Sequence, residues 1–168
     1  MNELPSSVTL EELSEENLRS LLDAAVADAD PFEVMAAVDG PPGWTLQRRH
    51  AFVEFHRGRA LHPTRPSERT FVITVDGETV GAARLEPHGN DLEAGIWIGR
   101  SHRGRGIGSV VTARLHKLAA ETGASRITAT TTQGNVAARR LIDTGPGARV
   151  QVDGDAVTGV CALTRASA

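Results

Sequence analysis

Three β-rich runs, residues 70–75, 79–85 and 92–98, follow one another with only short turns between them. A parallel crossover needs about a dozen residues or more, so neighbouring runs this close must pair antiparallel. Asp76-Gly77 in the first turn is a strong hairpin signal, and residues 87–91 form the second turn. An antiparallel meander therefore sits at the centre of the chain, and everything else has to pack around it. The period before it is helical. Ser14 is placed to cap a helix whose Leu18, Leu21, Leu22, Ala25 and Val26 fall on one stripe. Gly40-Pro41-Pro42-Gly43 breaks the chain, and Thr45 starts a second helix to about residue 56, with Ala51, Phe52 and Phe55 inward. Residues 57–69, with Pro63, Pro66 and four arginines, read as a loop.

After the meander the spacing predicts a helix over 106–121, with Val111, Leu115 and Leu118 inward and Gly123 ending it. A strand over 126–132, a short helix over 135–143 and a closing hairpin (149–152 and 157–164) complete the order. No repeat, low-complexity tract or linker interrupts it. The expectation is one domain, 1–168, of mixed α/β (α+β) class, with a central largely antiparallel twisted sheet of 6–7 strands and about four helices.

Bulk chemistry narrows the function. A formal net charge of −3 speaks against a general nucleic-acid binder. Residues 1–40 hold ten acids (Glu3, Glu11, Glu12, Glu15, Glu16, Asp23, Asp28, Asp30, Glu33, Asp39) against Arg19 alone, so the rest is net basic. That front end reads either as a solvated helix face or as an attractor for a cationic substrate. The single cysteine, Cys161, allows no internal disulfide and fits a reducing compartment. No apolar run approaches the ~18 residues that span a bilayer, and the acidic N-terminus is unlike a targeting signal. A cytoplasmic location, with no membrane or nucleic-acid partner, is the expectation.

The stretch richest in chemistry is Ile96-Trp97-Ile98-Gly99-Arg100-Ser101-His102-Arg103-Gly104-Arg105-Gly106-Ile107-Gly108-Ser109, at a strand-to-helix junction. Gly104, Gly106 and Gly108 let a phosphate oxygen approach backbone N–H groups. The helix start adds its dipole, and Arg103 and Arg105 add full charges. A P-loop would need a Gly-Lys-Ser/Thr ending that is absent. A dinucleotide fingerprint would need its third glycine where Ser109 stands, and an acid where the next strand ends in Thr130-Thr131-Thr132-Gln133.

Arg103-x-x-Gly106-x-Gly108 resembles the pyrophosphate loop of the GNAT superfamily of N-acetyltransferases. About 30 residues later, Asn135-Val136-Ala137-Ala138-Arg139-Arg140-Leu141 resembles that superfamily's short helix, closest to the Rim-type branch that acetylates ribosomal-protein N-termini. The resemblance implies the GNAT fold, splayed between strands 4 and 5, and acetyl-coenzyme A as donor. It implies that the backbone of Ile96, Trp97 and Ile98 pairs with the pantetheine arm. Arg103, Gly104, Arg105, Gly106, Ile107, Gly108 and Ser109 would hold the pyrophosphate, with Asn135, Ala138 and Arg140 beside the arm. Glu93 stands near the family's usual general base, with Asp91 and Glu86 as substitutes. The family's usual tyrosine acid is replaced by Ile142, and the serine sometimes used instead by Ala138. Three explanations remain: water protonates the thiolate, another group such as Ser101, Thr132 or Cys161 does so, or catalysis is weak. Thr144-Gly145-Pro146-Gly147 departs from the family's Leu-Gly-Phe.

No metal is implied, because the six histidines show no ligand spacing: His50 and His56 share no helix face, and His62, His88, His102 and His116 read as surface residues. The expected reaction is direct acetyl transfer to a small-molecule primary amine such as an amino acid, a polyamine or an aminoglycoside-like antibiotic. The alternatives are a protein N-terminal or lysine acetyltransferase, and a non-catalytic acyl-coenzyme A-binding module. The C-terminal strand offers an edge for a homodimer.

Overall fold

Ser14 caps the first helix as its position predicts: its hydroxyl accepts from the Asn17 N–H, and the Asn17 side chain accepts from the Ser14 N–H in return. The computed structural model describes residues 7–143 and 147–164, the side chains of Thr132, Ala137 and Asp143 excepted. The departure at Thr144-Gly145-Pro146 lies outside the described residues. Contacts divide the chain into two units, Met1–Arg84 with Ile96–Ile107, and Leu85–Gly95 with Gly108–Ala168. Among the described residues the sheet has seven strands in the order β1-β2-β3-β4-β5-β7-β6, mostly antiparallel, with β4 and β5 parallel.

In the first unit, β1 (Val8–Glu12) pairs antiparallel with β2 (Arg69–Val75), and β3 (Glu78–His88) follows across the expected hairpin. Helices α1 (Glu15–Asp28), α2 (Pro31–Val34) and α3 (Leu46–Arg59) complete it. Leu18, Leu21 and Ala25 of α1, Val34, Phe52, Val72 and Ala82 form one apolar cluster, with Trp44 and Trp97 packed against it. Helix α2 is too short to carry a periodic signal, and the sequence reading missed it.

The inner face of α3 also differs from expectation. Arg48, Phe52 and His56, spaced four apart, are buried, whereas Ala51 and Phe55 are only half-buried. Two of those three residues are polar, so an apolar pattern could not reveal the face. Arg48 is 1% exposed and spends its guanidinium on the loop before α3. It donates to the carbonyls of Val38 (3.0 and 2.9 Å), Gly43 (2.7 Å), Gly40 (3.2 Å) and Pro41, and lies 5.0 Å from the centre of the Phe32 ring. His56 sits edge-on to Phe52 and Phe55, and neither ring nitrogen has a hydrogen-bond partner among the described residues. Burial lowers its pKa from 6.5 to about 4, with a smaller push from Arg59.

In the second unit, the start of β4 (Asp91–Ile98) runs parallel to β5 (Arg126–Thr132) over three pairs, from Asp91↔Arg126 to Glu93↔Thr128. β5 pairs antiparallel with β7 (Ala156–Ala162) along its full length, and β6 (Arg149–Asp153) covers the other side of β7. The C-terminal strand is therefore internal, and the edge predicted for it belongs to β6. Helix α4 runs Ile107–Glu121 and buries Ile107, Val111, Leu115 and Ala119, with Leu118 turned half outward. Helix α5 (Val136–Asp143) lays Ile142 over β7, where Gly159 leaves the room: a Cβ there would collide with the Ile142 side chain.

Candidate active site

Gly99 ends β4, buried, with its N–H bonded to the Val80 carbonyl at 2.8 Å. A single 3-10 turn, Arg100–His102, then lifts the chain to Arg103. Gly104 (φ +74°) and Gly106 (φ +80°) lie in the left-handed region, which glycine enters without steric cost. Helix α4 begins one residue later, so its unsatisfied first-turn N–H groups follow directly on the loop. Gly104, Gly106 and Ser109 are exposed, Arg105 and Gly108 half-exposed, and Ile107 anchors the helix start in the core. Among the described residues, no atom beyond its two chain neighbours lies within 4 Å of where a Gly104 Cβ would be. Exposed left-handed glycines, two flanking arginines and a helix start suit a pyrophosphate group.

The arginines are already engaged. Arg103 donates to the Ile98 carbonyl through Nε (2.9 Å) and meets a Glu33 carboxylate oxygen at 3.3 Å. Arg105 donates to His102 Nδ1 at 3.2 Å, and the other ring nitrogen of His102 is 3.8 Å from Glu78. His102 is thus drawn in, with a side chain only 16% exposed, rather than lying on the loop surface. Arg100 lies 4.0 Å from Asp30 and 3.9 Å from Glu33. Ser101 gives both its N–H and its hydroxyl to Asp28, the last residue of α1. These bonds hold the Asp28 carboxyl below its usual range, the hydroxyl bond contributing most. Three acids of the N-terminal segment therefore hold the loop, a use that the sequence reading did not foresee. One signal was present: Asp28 closes a helix whose last turn has no basic residue, against the helix dipole.

On the meander, Glu93 is half-exposed, its carboxylate 3.8 Å from His88 Nε2, and Glu86 lies 3.7 Å from the same nitrogen. All three ligand-type atoms fall within 4.8 Å of one another. Sequence spacing alone did not join His88 to this group, because the hairpin brings it there. Asp91, a substitute base, is held by Arg126 at 3.1 and 2.8 Å, which raises the arginine's pKa. Among the substitute acids, the Ser101 hydroxyl is committed to Asp28 at 2.6 Å. Cys161 is buried opposite Ile127, its thiol pKa raised by burial, and the Thr132 side chain lies outside the described set. Trp97 packs on the core of the first unit, so only its backbone is suited to a ligand. Asn135 caps α5, its Oδ1 accepting from the Ala138 N–H at 3.0 Å, and Arg140 is exposed on that helix.

A profile of the acetyltransferase (GNAT) domain matches residues 7–144. No curated protein matches the sequence. Among solved structures, the chain is similar to RimL, a ribosomal L7/L12 alpha-N-protein acetyltransferase in complex with coenzyme A (15% identity, 96% of this chain and 97% of that one, TM-score 0.72). It is also similar to the GNAT domain of S. lividans PAT (16% identity, 93% and 90%, TM-score 0.69). A third is the spermidine/spermine N-acetyltransferase SpeG from Vibrio cholerae (18% identity, 94% and 95%, TM-score 0.64). At these identities the structures establish the fold, and the domain match over most of the chain establishes the family. The chain belongs to the GNAT acetyltransferases, enzymes that draw their acetyl group from acetyl-coenzyme A.

Proposed function

We propose that this chain transfers acetyl from acetyl-coenzyme A to a primary amine of a small cationic molecule, and that Glu93 is the proton acceptor. The observation that carries this reading is the half-exposed Glu93 carboxylate beside Glu86 and His88. Two carboxylates there favour an approaching ammonium group. Glu93 can then take the proton that makes the amine nucleophilic, directly or through water.

When bound, acetyl-coenzyme A supplies a thioester carbonyl. The chain's own part is to hold and orient. Arg103, Gly104, Arg105, Gly106, Ile107, Gly108 and Ser109 would hold the pyrophosphate, for which Arg103 would give up its contact with Glu33. The backbone of Ile96, Trp97 and Ile98 would hold the pantetheine arm, and Ala138, Arg140 and the Asn135 amide NH2, whose carbonyl is the cap, would contribute from α5. No tyrosine exists in the chain, Ile142 is packed on Gly159 and the Ser101 hydroxyl is committed to Asp28, which supports solvent water as the proton source for the thiolate. A thiolate of ordinary pKa, roughly 8–9, needs little help to leave. The same reading places the enzyme in a reducing cytoplasm. It also includes pairing of two copies through β6, an edge strand exposed along its length with Val150 and Val152 at the surface.

The test is acetyl-coenzyme A consumption, followed as free thiol release, over a panel of amino acids, polyamines, aminoglycosides and short peptides. Amine-dependent release that falls about tenfold or more in Glu93→Gln, with a flattened pH profile, supports the reading. Release with peptides alone favours protein acetylation, and binding without release favours a non-catalytic module.

A further inference from the structure

We propose that Asp28 is a positioning residue for donor binding: its carboxylate grips the turn at residues 99–101 and so sets the glycine loop in the geometry that receives the pyrophosphate. This rests on the reading of residues 103–109 as the pyrophosphate site.

The grip is specific. Ser101 Oγ donates to Asp28 Oδ2 at 2.6 Å, and the Ser101 N–H lies 3.1 Å from each carboxylate oxygen. Charge-assisted bonds of this kind are the strong ones among protein hydrogen bonds. The same carboxylate is packed on Gly99. A Cβ added there would collide with Oδ2 and come within 3.0 Å of Cγ. Asp28 therefore touches both ends of the turn that leads into Arg103. The backbone ties on this turn are Gly99 N–H to Val80, His102 N–H to Gly99 at 3.0 Å, and a long one from Arg103 N–H to Arg100 at 3.4 Å, and the other acids meet it only through the Arg100 and Arg103 guanidinium groups. Helix stability does not account for the acid, because a carboxylate at a helix C-terminus opposes the dipole.

Glu33 belongs to the same row of acids but acts with the opposite sign. It holds the Arg103 guanidinium that phosphate must take, so it competes with the ligand, whereas Asp28 holds only the scaffold. Charge alone predicts that losing either acid tightens the binding of an anion. Positioning predicts that losing Asp28 weakens it.

The experiment is calorimetric binding of acetyl-coenzyme A to the full chain, with melting temperatures recorded for each variant. Asp28→Asn and Ser101→Ala are each expected to raise Kd by about tenfold, and the double variant by little more, since both remove one interaction. Ser101→Thr, which keeps the hydroxyl, is expected to retain affinity, and Glu33→Gln to lower Kd by about threefold. Leu22→Ala, which loosens α1 away from the turn, should lower the melting temperature and leave Kd unchanged. If Asp28→Asn does not fold, Ser101→Ala reads the same bond with α1 intact. Unchanged or tighter binding in Asp28→Asn and Ser101→Ala, with wild type binding normally, overturns the positioning role alone. Absence of binding by wild type removes the pyrophosphate reading and this proposal with it.

Discussion

Two glycine-containing loops of the first unit, residues 38–43 and 99–106, are held by charged side chains of opposite sign, the first by a single arginine and the second by acids, of which Asp28 alone bonds to the turn's backbone. In the first, buried Arg48 gathers the carbonyls of Val38, Gly40, Pro41 and Gly43 around one guanidinium. In the second, Asp28 takes the N–H and hydroxyl of Ser101 at the base and leaves the glycines beyond it exposed. A loop whose carbonyls converge on a cation has finished its hydrogen bonding inside the protein. A loop gripped by an anion at one end keeps its far end for an outside partner. The sign of the anchoring charge thus separates a structural loop from a receptive one.

Arg103→Glu tests the receptive side most severely. It replaces attraction for pyrophosphate with repulsion and should weaken acetyl-coenzyme A binding on the order of a hundredfold, with the melting temperature nearly unchanged. A large loss of stability instead would show that this loop is structural too. Arg48→Ala tests the other side. It strips several carbonyls of their donors and should cost about 3 kcal/mol in urea unfolding while the folded protein binds donor normally. Lysine should not rescue it, because a single ammonium cannot reproduce the guanidinium fork.

The same helix, α3, should make the structural side acid-sensitive. His56 remains neutral in the fold down to about pH 4, whereas the unfolded chain takes up a proton near 6.5. Stability is therefore complete above pH 6.5 and falls as the pH drops towards 4, by about 3 kcal/mol in all. His56→Phe should flatten that part of the pH profile. If donor affinity of the folded protein fell over the same range in wild type but not in His56→Phe, the two loops would not be independent. The smallest effect is expected from Phe32→Ala, which removes an exposed ring 5.0 Å from the Arg48 guanidinium. About 0.5 kcal/mol of stability should be lost, with no change in Kd.

The contrast also marks what could be read from residues alone. Element order, the caps at Ser14 and Thr45, and the glycine loop were legible, because each rests on neighbours in sequence. Helix α2, with four residues, gave no period, and α3 hid its buried face behind an arginine and a histidine. The acids were visible only as a charge imbalance. Ser101 and Asp28 are 73 residues apart, and no local rule connects a helix end to a distant turn. His88 reads as a surface residue and is exposed, but its two carboxylate neighbours are set by the register of a hairpin, which no local pattern shows.

The close approach of Gly99 to Asp28 also constrains how such a sequence can drift. Alanine at 99 displaces the carboxylate, and a shorter residue at 28 makes the room but leaves Ser101 without its acceptor. A single exchange at either place is therefore harmful, and the obvious compensation repairs only the collision. In a saturation library selected for donor binding, positions 28, 99 and 101 should behave as one inherited unit, enriched or lost together, while exposed positions outside the site, such as Arg19, vary around them.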